Sequence, residues 1–401
     1  MKILLITDYL PYPPISGDSI RVYNLIKHIA VEHQVTLVSL FGSPETQTSA
    51  FPLDEYCDQI ISVDHQWPDP IKIFPDLIKF FVKGIPIELR LLFSQKLFDA
   101  ISEITRTEDF DIVQIEHSRM ALYLDALQPS GQFKTTLTFH NVGFDQYKNI
   151  SRIATTNLGK LRSWLHSKMM RLWEPKYAER FDRSIVVSES DRSILLDANP
   201  QLTIDNVPNG VDTQAYQPLT YEGTKPSLLF VGSMSYAPNV DGAVWFCSRV
   251  LPWIRREIEN VQVWIVGNSP LEEVVQLSGN GVHVTGRVDD IVAYYKQSTV
   301  SIVPLRAGGG TRLKILESMA LGRPVVSTTL GCEGLNADDN RHLLVADDPK
   351  AFAKKTIRLL TDKNLCQNLT TNAREFVEAN YDWALISRRM LDIYSDLHGS
   401  R

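Results

Sequence analysis

The 401 residues are 44% hydrophobic and 22% charged, with 41 Lys plus Arg against 47 Asp plus Glu and a net charge of −6. That composition excludes a disordered, collagenous or coiled-coil chain, and so mild a charge gives no ground for a nucleic-acid binder. Cys57, Cys247, Cys332 and Cys366 form no CxxC pair, which argues against a zinc site or a disulfide framework.

The apolar run Ile3–Ile6 stops at Thr7-Asp8, short of a signal peptide, and no run reaches the ~20 residues of a bilayer span, so the expected location is the cytoplasm. In chain order, strand-like β-branched runs fall at Lys2–Ile6, Val35–Leu40, Gln59–Val63, Asp111–Ile115, Thr135–Phe139 and Arg183–Val187. Between them, Asp18–Val31 repeats apolar residues at helical spacing with Asp18 as its cap, and Asn157–Phe181 is a long helix. The polar, Pro-bearing stretch Thr213–Ser227 reads as a linker. The alternation then restarts. Strands are expected at Ser227–Val231, Val261–Val266, Val282–Thr285, Thr299–Pro304, Pro324–Thr328 and His342–Val345. Helices are expected at Asn239–Glu259, Asp290–Gln297, Arg312–Leu321, Lys350–Leu360, Lys363–Ala379 and Trp383–Leu397.

Strands alternating with helices, twice over, predict an α/β chain of two Rossmann-like, doubly wound parallel-sheet domains of about six strands each, facing a cleft. Such sheets bind ligands at the carboxyl ends of their strands, where the strand order reverses. The domains are placed at 1–206 with the last helix, 384–401, and at 207–383.

The strongest chemical signal is Pro304-Leu305-Arg306-Ala307-Gly308-Gly309-Gly310-Thr311-Arg312-Leu313-Lys314-Ile315-Leu316-Glu317. Three glycines between a buried strand and a helix leave backbone N–H groups aimed at one spot, suited to phosphate. Arg312 and Lys314 add positive charge there, and a carboxylate at Glu317 suits ribose hydroxyls. The spacing is not that of a Walker A loop, and Thr7–Pro11 after the first strand holds no dinucleotide fingerprint.

Weaker signals are Ser16-Gly17-Asp18, where Gly17 opens a helix, and Phe139-His140-Asn141, which places a histidine at a ligand edge. Asn209-Gly210 reads first as a turn, and Phe230-Val231-Gly232-Ser233 reads equally as a phosphate-approaching loop or a plain one. Asp109-Phe110-Asp111 matches a metal-binding D-x-D but opens a buried strand, and it is read as structural.

Together these segments resemble the retaining glycosyltransferases of family 4, which have the GT-B fold. The resemblance spans the chain. It is carried by Gly17, His140, Val187-Ser188-Glu189, Pro208-Asn209-Gly210-Val211-Asp212, Phe230-Val231-Gly232, Gly286-Arg287-Val288 and, most specifically, Leu316-Glu317-Ser318-Met319-Ala320-Leu321-Gly322-Arg323-Pro324-Val325-Val326. The loop Gly17–Arg21 and the Lys314 to Glu317 spacing look like sugar transferases of exopolysaccharide clusters.

The resemblance implies a nucleotide-diphosphate sugar as donor substrate, held mainly by the second domain, and a saccharide, lipid-linked or small-molecule acceptor on the first. It implies retention at the anomeric carbon, with no metal and no cofactor. It further implies that His140 contacts the donor sugar and Glu317 the ribose. Gly17, Gly309, Gly310, Thr311 and Arg312 lie by the diphosphate, which Lys314 neutralises. Asn209, Gly210, Gly232, Ser233, Arg287 and Val288 complete the donor site.

Two departures stand out. Gly309 occupies a position where the family often has a Glu, and no Lys follows Gly232-Ser233, so Arg312 and Lys314 are expected to supply the missing charge. The alternatives are an inactive nucleotide-sugar-binding protein or a sugar-nucleotide epimerase of the same fold. Finally, Trp67–Phe93 and Lys148–Arg183 mix apolar and basic residues, which fits peripheral contact with the inner face of a membrane as well as it fits helices packed on the sheet.

Overall fold

The computed structural model describes residues 1–41, 52–64, 84–129, 131–154, 156–308 and 312–399. The chain divides into two compact units. One is formed by Met1–Lys148, Leu161–Pro208 and Ala384–Arg401, the other by Asn149–Lys160 and Asn209–Trp383.

In the first unit, β1 (Lys2–Thr7) leads to α1 (Gly17–Ile29), β2 (Gln34–Phe41) and β3 (Gln59–Asp64). Then come α2 (Ile87–Leu92), α3 (Gln95–Thr107), β4 (Ile112–Glu116), a 3-10 stretch (Ser118–Ala126) and β5 (Lys134–Phe139). The helices α4 (Gly143–Ile153) and α5 (Asn157–Ala178) precede β6 (Arg183–Val186), α6 (Glu189–Ala198) and β7 (Ile204–Asn206). The seven strands form one sheet in the order β3-β2-β1-β4-β5-β6-β7, and every pairing is parallel. A parallel sheet is covered by helices on both faces, so its strands are apolar throughout rather than alternating. Ile3, Leu4, Leu5 and Ile6 of the central β1 are accordingly all buried.

The second unit runs β8 (Ser227–Val231), α7 (Ala237–Trp245), α8 (Leu251–Arg255), β9 (Gln262–Val266), α9 (Glu272–Val275), β10 (Val282–Val284), α10 (Ile291–Gln297) and β11 (Val300–Val303). It continues with α11 (Leu313–Ala320), β12 (Val325–Ser327), β13 (Leu344–Val345), α12 (Pro349–Thr361) and α13 (Lys363–Asn380). Its six parallel strands are ordered β10-β9-β8-β11-β12-β13. The order therefore reverses between β1 and β4 in one sheet and between β8 and β11 in the other, and those are the positions where open α/β sheets bind ligands.

A last helix, α14 (Trp383–Gly399), buries Ile386, Met390, Tyr394 and Leu397. The Tyr394 hydroxyl donates to Gln114 Oε1 of β4 at 2.5 Å, and Arg183 reaches Asp396 at 2.8 Å.

Several details differ from the sequence expectation. The three-residue β7 is a seventh strand, and α2, α3, α4 and α6 were not anticipated. The expected single helix Asn239–Glu259 is broken by a π-turn at Phe246–Val250. Pro252, two residues past the turn, has no N–H to continue the ladder. The stretch expected to be a linker is fixed to the second unit, where the Arg374 guanidinium donates to the carbonyls of Thr213, Tyr216 and Ala320. The cap of α1 is Ser16, not Asp18: Ser16 and Ser19 bond each other reciprocally in a capping box. Asp18 is thereby released for another use.

Candidate functional site

At the carboxyl edge of the first sheet, three strands each deliver an ionisable residue: Asp8 after β1, His117 after β4 and His140 after β5. The last residue of β4, Glu116, points to the same place. His140 Nε2 lies 2.6 Å from Glu116 Oε2, and its Nδ1 lies 3.3 Å from Asp18 Oδ1. Burial alone would strip this imidazole of its proton, but the two carboxylates hold its pKa up at about 9.

His117 stacks on His140 with ring centroids 3.9 Å apart and planes at 21°. Burial, then the neighbouring charges of His140 and Arg119, push its pKa well below the ordinary range, so it stays neutral. Its Nε2 sits 3.6 Å from Asp18 and 3.7 Å from Asp8. Its backbone has φ of 71°, a conformation that side-chain-bearing residues adopt rarely and chiefly at functional sites.

Asp8 Oδ2 meets Arg119 Nε at 2.5 Å. Burial raises the pKa of Glu116, but His140 and Arg21 outweigh it and keep the carboxylate ionised. Arg21 is fully buried and donates to the Pro208 carbonyl at 3.0 Å. Three carboxylates (Asp8, Asp18, Glu116) thus balance three cations (Arg21, Arg119, His140) around a neutral His117. Asp18 and Arg119 are the members of this network with exposed side chains, at 39% and 41%, so it presents one carboxylate and one guanidinium to solvent.

Asp18, His117 and His140 each offer a ligand atom, all within 4.8 Å of one another. They fit a metal poorly. Both nitrogens of His140 face carboxylates and carry protons, and the charges already balance without an ion.

Glu174 of α5 braces the site from beneath. It is fully buried and accepts from Ser118 Oγ at 2.6 Å and from the backbone N–H groups of Gly143 and Phe144 at 3.1 and 3.0 Å. It therefore pins the loops that follow β4 and β5, and burial pushes its pKa up to about 7. Gly17 is exposed at the N-terminus of α1, one residue before Asp18.

At the reversal point of the second sheet, Lys314 extends from α11 back to the loop after β8. Its ammonium donates to Asn239 Oδ1 at 2.8 Å and lies 4.8 Å above the Phe230 ring. It presses on Gly232, where an added Cβ would sit 2.7 Å from Nζ. Asn239 in turn donates to the Ser233 carbonyl at 2.9 Å. Burial, and then Arg312, lower the Lys314 pKa to about 7. Glu317, one turn on, is raised by burial to about 7, with Lys314 opposing the rise. The carboxylate of Glu317 also pushes up the Tyr216 phenol.

Arg312 is buried, and its guanidinium folds over Gly308, whose φ of +112° suits glycine. The loops after β8, β9 and β10 are locked together. A Cβ on Gly267 would lie 1.7 Å from the Gly232 carbonyl, and the Gly267 N–H donates to Gly286 at 3.1 Å. Arg287 is exposed beside them, while Val288 packs against the cluster of Leu229, Val266, Tyr295 and Leu321.

The fold thus gathers Gly232, Ser233, Arg312, Lys314 and Glu317 at one edge, with Arg287 and Val288 on the next loop. Gly309, Gly310 and Thr311 lie outside the described residues. Asn209 is buried, and Gly210 is packed so tightly that a Cβ would lie 2.8 Å from the Trp383 ring and 2.9 Å from the Tyr381 carbonyl. Asp111 accepts from the Lys2 N–H at 2.8 Å and lies 3.4 Å from His398, a structural role. Sequence reasoning missed Asp8, Glu116, His117, Arg119, Glu174 and Asn239. The first three stand immediately behind or at the ends of expected strands, so the rule that found His140 could have found them.

Two family profiles match the chain: "Glycosyltransferase Family 4" over residues 15–215 and "Glycosyl transferases group 1" over residues 225–362. A relative from Klebsiella pneumoniae, described as an uncharacterized 44.6 kDa protein in the cps region, is 22% identical over 95% of this chain and 96% of its own. Among solved structures, sucrose-phosphate synthase from Thermosynechococcus elongatus superposes with a TM-score of 0.75 at 18% identity, covering 100% of both chains. The Anabaena protein Alr3699/HepE, solved in complex with UDP and glucose, gives 0.68 at 13% identity over 99% of this chain and 100% of its own. Among the described residues, no helix is long and apolar enough to cross a membrane.

Proposed function

The chain belongs to glycosyltransferase family 4 and is a glycosyltransferase, and from that premise we propose that it moves a sugar from a nucleoside-diphosphate sugar to a hydroxyl of a saccharide or lipid-linked acceptor, with retention of configuration. In this reading the bond from the anomeric carbon to the phosphate oxygen breaks, and the acceptor oxygen bonds that carbon from the same face. The acceptor proton passes to the departing diphosphate oxygen. Catalysis is then positioning and charge stabilisation, and metal is not required.

The observation that carries the reading is the half-buried ammonium of Lys314, held against Gly232 at the sheet reversal. It stands beside the glycine loop that lacks the family's customary lysine. A binding-competent cation in that place supports an active enzyme over an inert binder. Arg312 adds charge at the start of the same helix, and Glu317 accepts from ribose. In the first unit, Asp18 binds sugar hydroxyls. His140, buried with both nitrogens bonded to carboxylates, acts as the positioning residue that aims Asp18. Uridine is the first base to test, because Alr3699/HepE was solved with UDP. The enzyme is proposed to work in the cytoplasm, in peripheral contact with the inner membrane surface.

Thermal denaturation with UDP-glucose, UDP-galactose, GDP-mannose and the free nucleotides tests the donor. A ligand at 100 times its dissociation constant stabilises by about 2.7 kcal/mol. One base should stand out, and the nucleotide should be released on incubation with its sugar conjugate. No shift with any donor would overturn the reading, and an inverted anomeric centre in the product would overturn retention.

A further inference from the structure

The helix α5 has two apolar faces, and only one is used. Met170, Trp173, Glu174 and Ala178 are buried against the first unit. On the other side stand Leu158, Leu161, Trp164, Leu165 and Leu172, exposed by 76%, 53%, 49%, 49% and 78%. At about 100° per residue, the four leucines fall within roughly 60° of one another, opposite the buried face. A surface helix normally carries polar residues there. Among the described residues nothing buries the stripe, and it makes up five of the eleven large hydrophobic side chains exposed there.

The charges around the stripe identify what covers it. Lys160, Arg162, Lys168, Arg171 and Lys176 are all exposed. The sole carboxylate of the helix, Glu174, is turned inward to cap α4 and contributes nothing to the solvent face. Five exposed cations and no exposed acid on one helix of an acidic protein, flanking the stripe on both sides, are a local reversal of sign. Lys168 also lies 5.7 Å from the Trp164 ring, a pairing of an amphipathic aromatic and a cation that suits a headgroup layer. A second copy of the same helix packed stripe to stripe would bring like charges together, which repel.

We propose that the outer face of α5 is a docking surface for an anionic lipid bilayer, with the leucine stripe seated at the acyl boundary and the basic residues on the lipid headgroups. The inference deepens the peripheral membrane contact proposed above by assigning it a face and a lipid class. It leaves the donor chemistry untouched.

The test is sedimentation of the full chain with vesicles of phosphatidylcholine containing about one third phosphatidylglycerol, against vesicles of phosphatidylcholine alone. The wild-type chain should pellet with the anionic vesicles at low salt and be released as salt is raised. Leu161→Ser, Leu165→Ser and Leu172→Ser together should weaken binding by about tenfold or more. Lys168→Glu with Lys176→Glu should do so through charge alone, so the two variants check each other. All five positions are exposed, and melting temperature and stabilisation by UDP-glucose should be unchanged in both variants. Absence of binding to anionic vesicles, equal binding by wild type and the leucine variant, or concentration-dependent dimerisation that the leucine variant abolishes would each overturn the proposal. Loss of UDP-glucose stabilisation in the wild type would instead count against the donor reading alone.

Discussion

Replacing Lys314 with methionine should produce a protein that is more stable and no longer binds donor well. The ammonium is half-buried, and desolvation lowers its pKa from 10.5 to about 7, an unfavourable contribution on the order of a few kcal/mol. The sign follows from linkage. The unfolded chain keeps the proton up to its higher pKa, so the penalty is full below about pH 7 and fades as pH rises toward 10. The Lys314→Met variant should therefore melt higher near pH 7, by about 2–4 °C for each kcal/mol regained, and converge on wild type near pH 10.

Binding should move the opposite way. With a pKa of about 7, the site is about 91% protonated at pH 6 and about 9% at pH 8, so the apparent dissociation constant for UDP-glucose should rise about tenfold over that interval. A nucleotide sugar is the right probe because both of its phosphates are esterified and do not titrate there. In the variant the slope should vanish. Any residual dependence, from Glu317 ionising above about pH 7, should run the other way, because a carboxylate accepts ribose hydroxyls better than its acid. Isothermal titration across pH 6 to 8 reads both quantities. A flat wild-type profile, or the same falling affinity in the variant, would refute the assignment of Lys314 to the diphosphate.

Three other outcomes are expected. Proton NMR should find the His140 imidazole titrating near pH 9 and His117 uncharged across the neutral range, and Glu116→Gln should lower the His140 value by about 1–3 units. Because the folded value is raised, the stability contributed by His140 is complete below about pH 6.5 and lost as pH rises through 9; wild type and Glu116→Gln should thus converge in urea melts at high pH. Glu174→Ala strands the Ser118, Gly143 and Phe144 donors and should cost about 3–5 kcal/mol by urea denaturation. Gly267→Ala forces a carbon into the Gly232 carbonyl and should weaken UDP-glucose binding as well as lower the melting temperature, whereas alanine at Gly279, where nothing lies within 4 Å, should leave binding as it was.

The sheets were legible because parallel strands are apolar on both faces: Lys2–Ile6 and Ser227–Val231 announce themselves as β-branched or apolar runs. Ile204–Asn206 did not, being three residues long with polar Asp205 and Asn206 in it. The glycine loop and Lys314 were legible from spacing, but the reach of Lys314 back to Asn239 spans 75 residues and is a product of the sheet order. Asp18 was misread as a cap because Ser, Asp and Asn are interchangeable in that role, and a side chain's choice between backbone N–H and a distant imidazole is a tertiary matter. The pairing of His117 with His140 depends on β4 and β5 being neighbours, which no local pattern reports.

The return of α14 to the first sheet has a consequence for how the protein is made. Gln114, in the interior of β4, meets Tyr394, and Arg183 meets Asp396, so these side chains of the sheet have no partner until residues 394–396 have been translated. Residues Asn209–Trp383 come off the ribosome in between. At roughly 5–20 residues per second, those 175 residues impose a delay of about 10–35 s. During that interval the second unit is free to finish folding while the first waits, its surface beneath Met390 and Tyr394 uncovered, for chaperones to guard or for its own last helix to close.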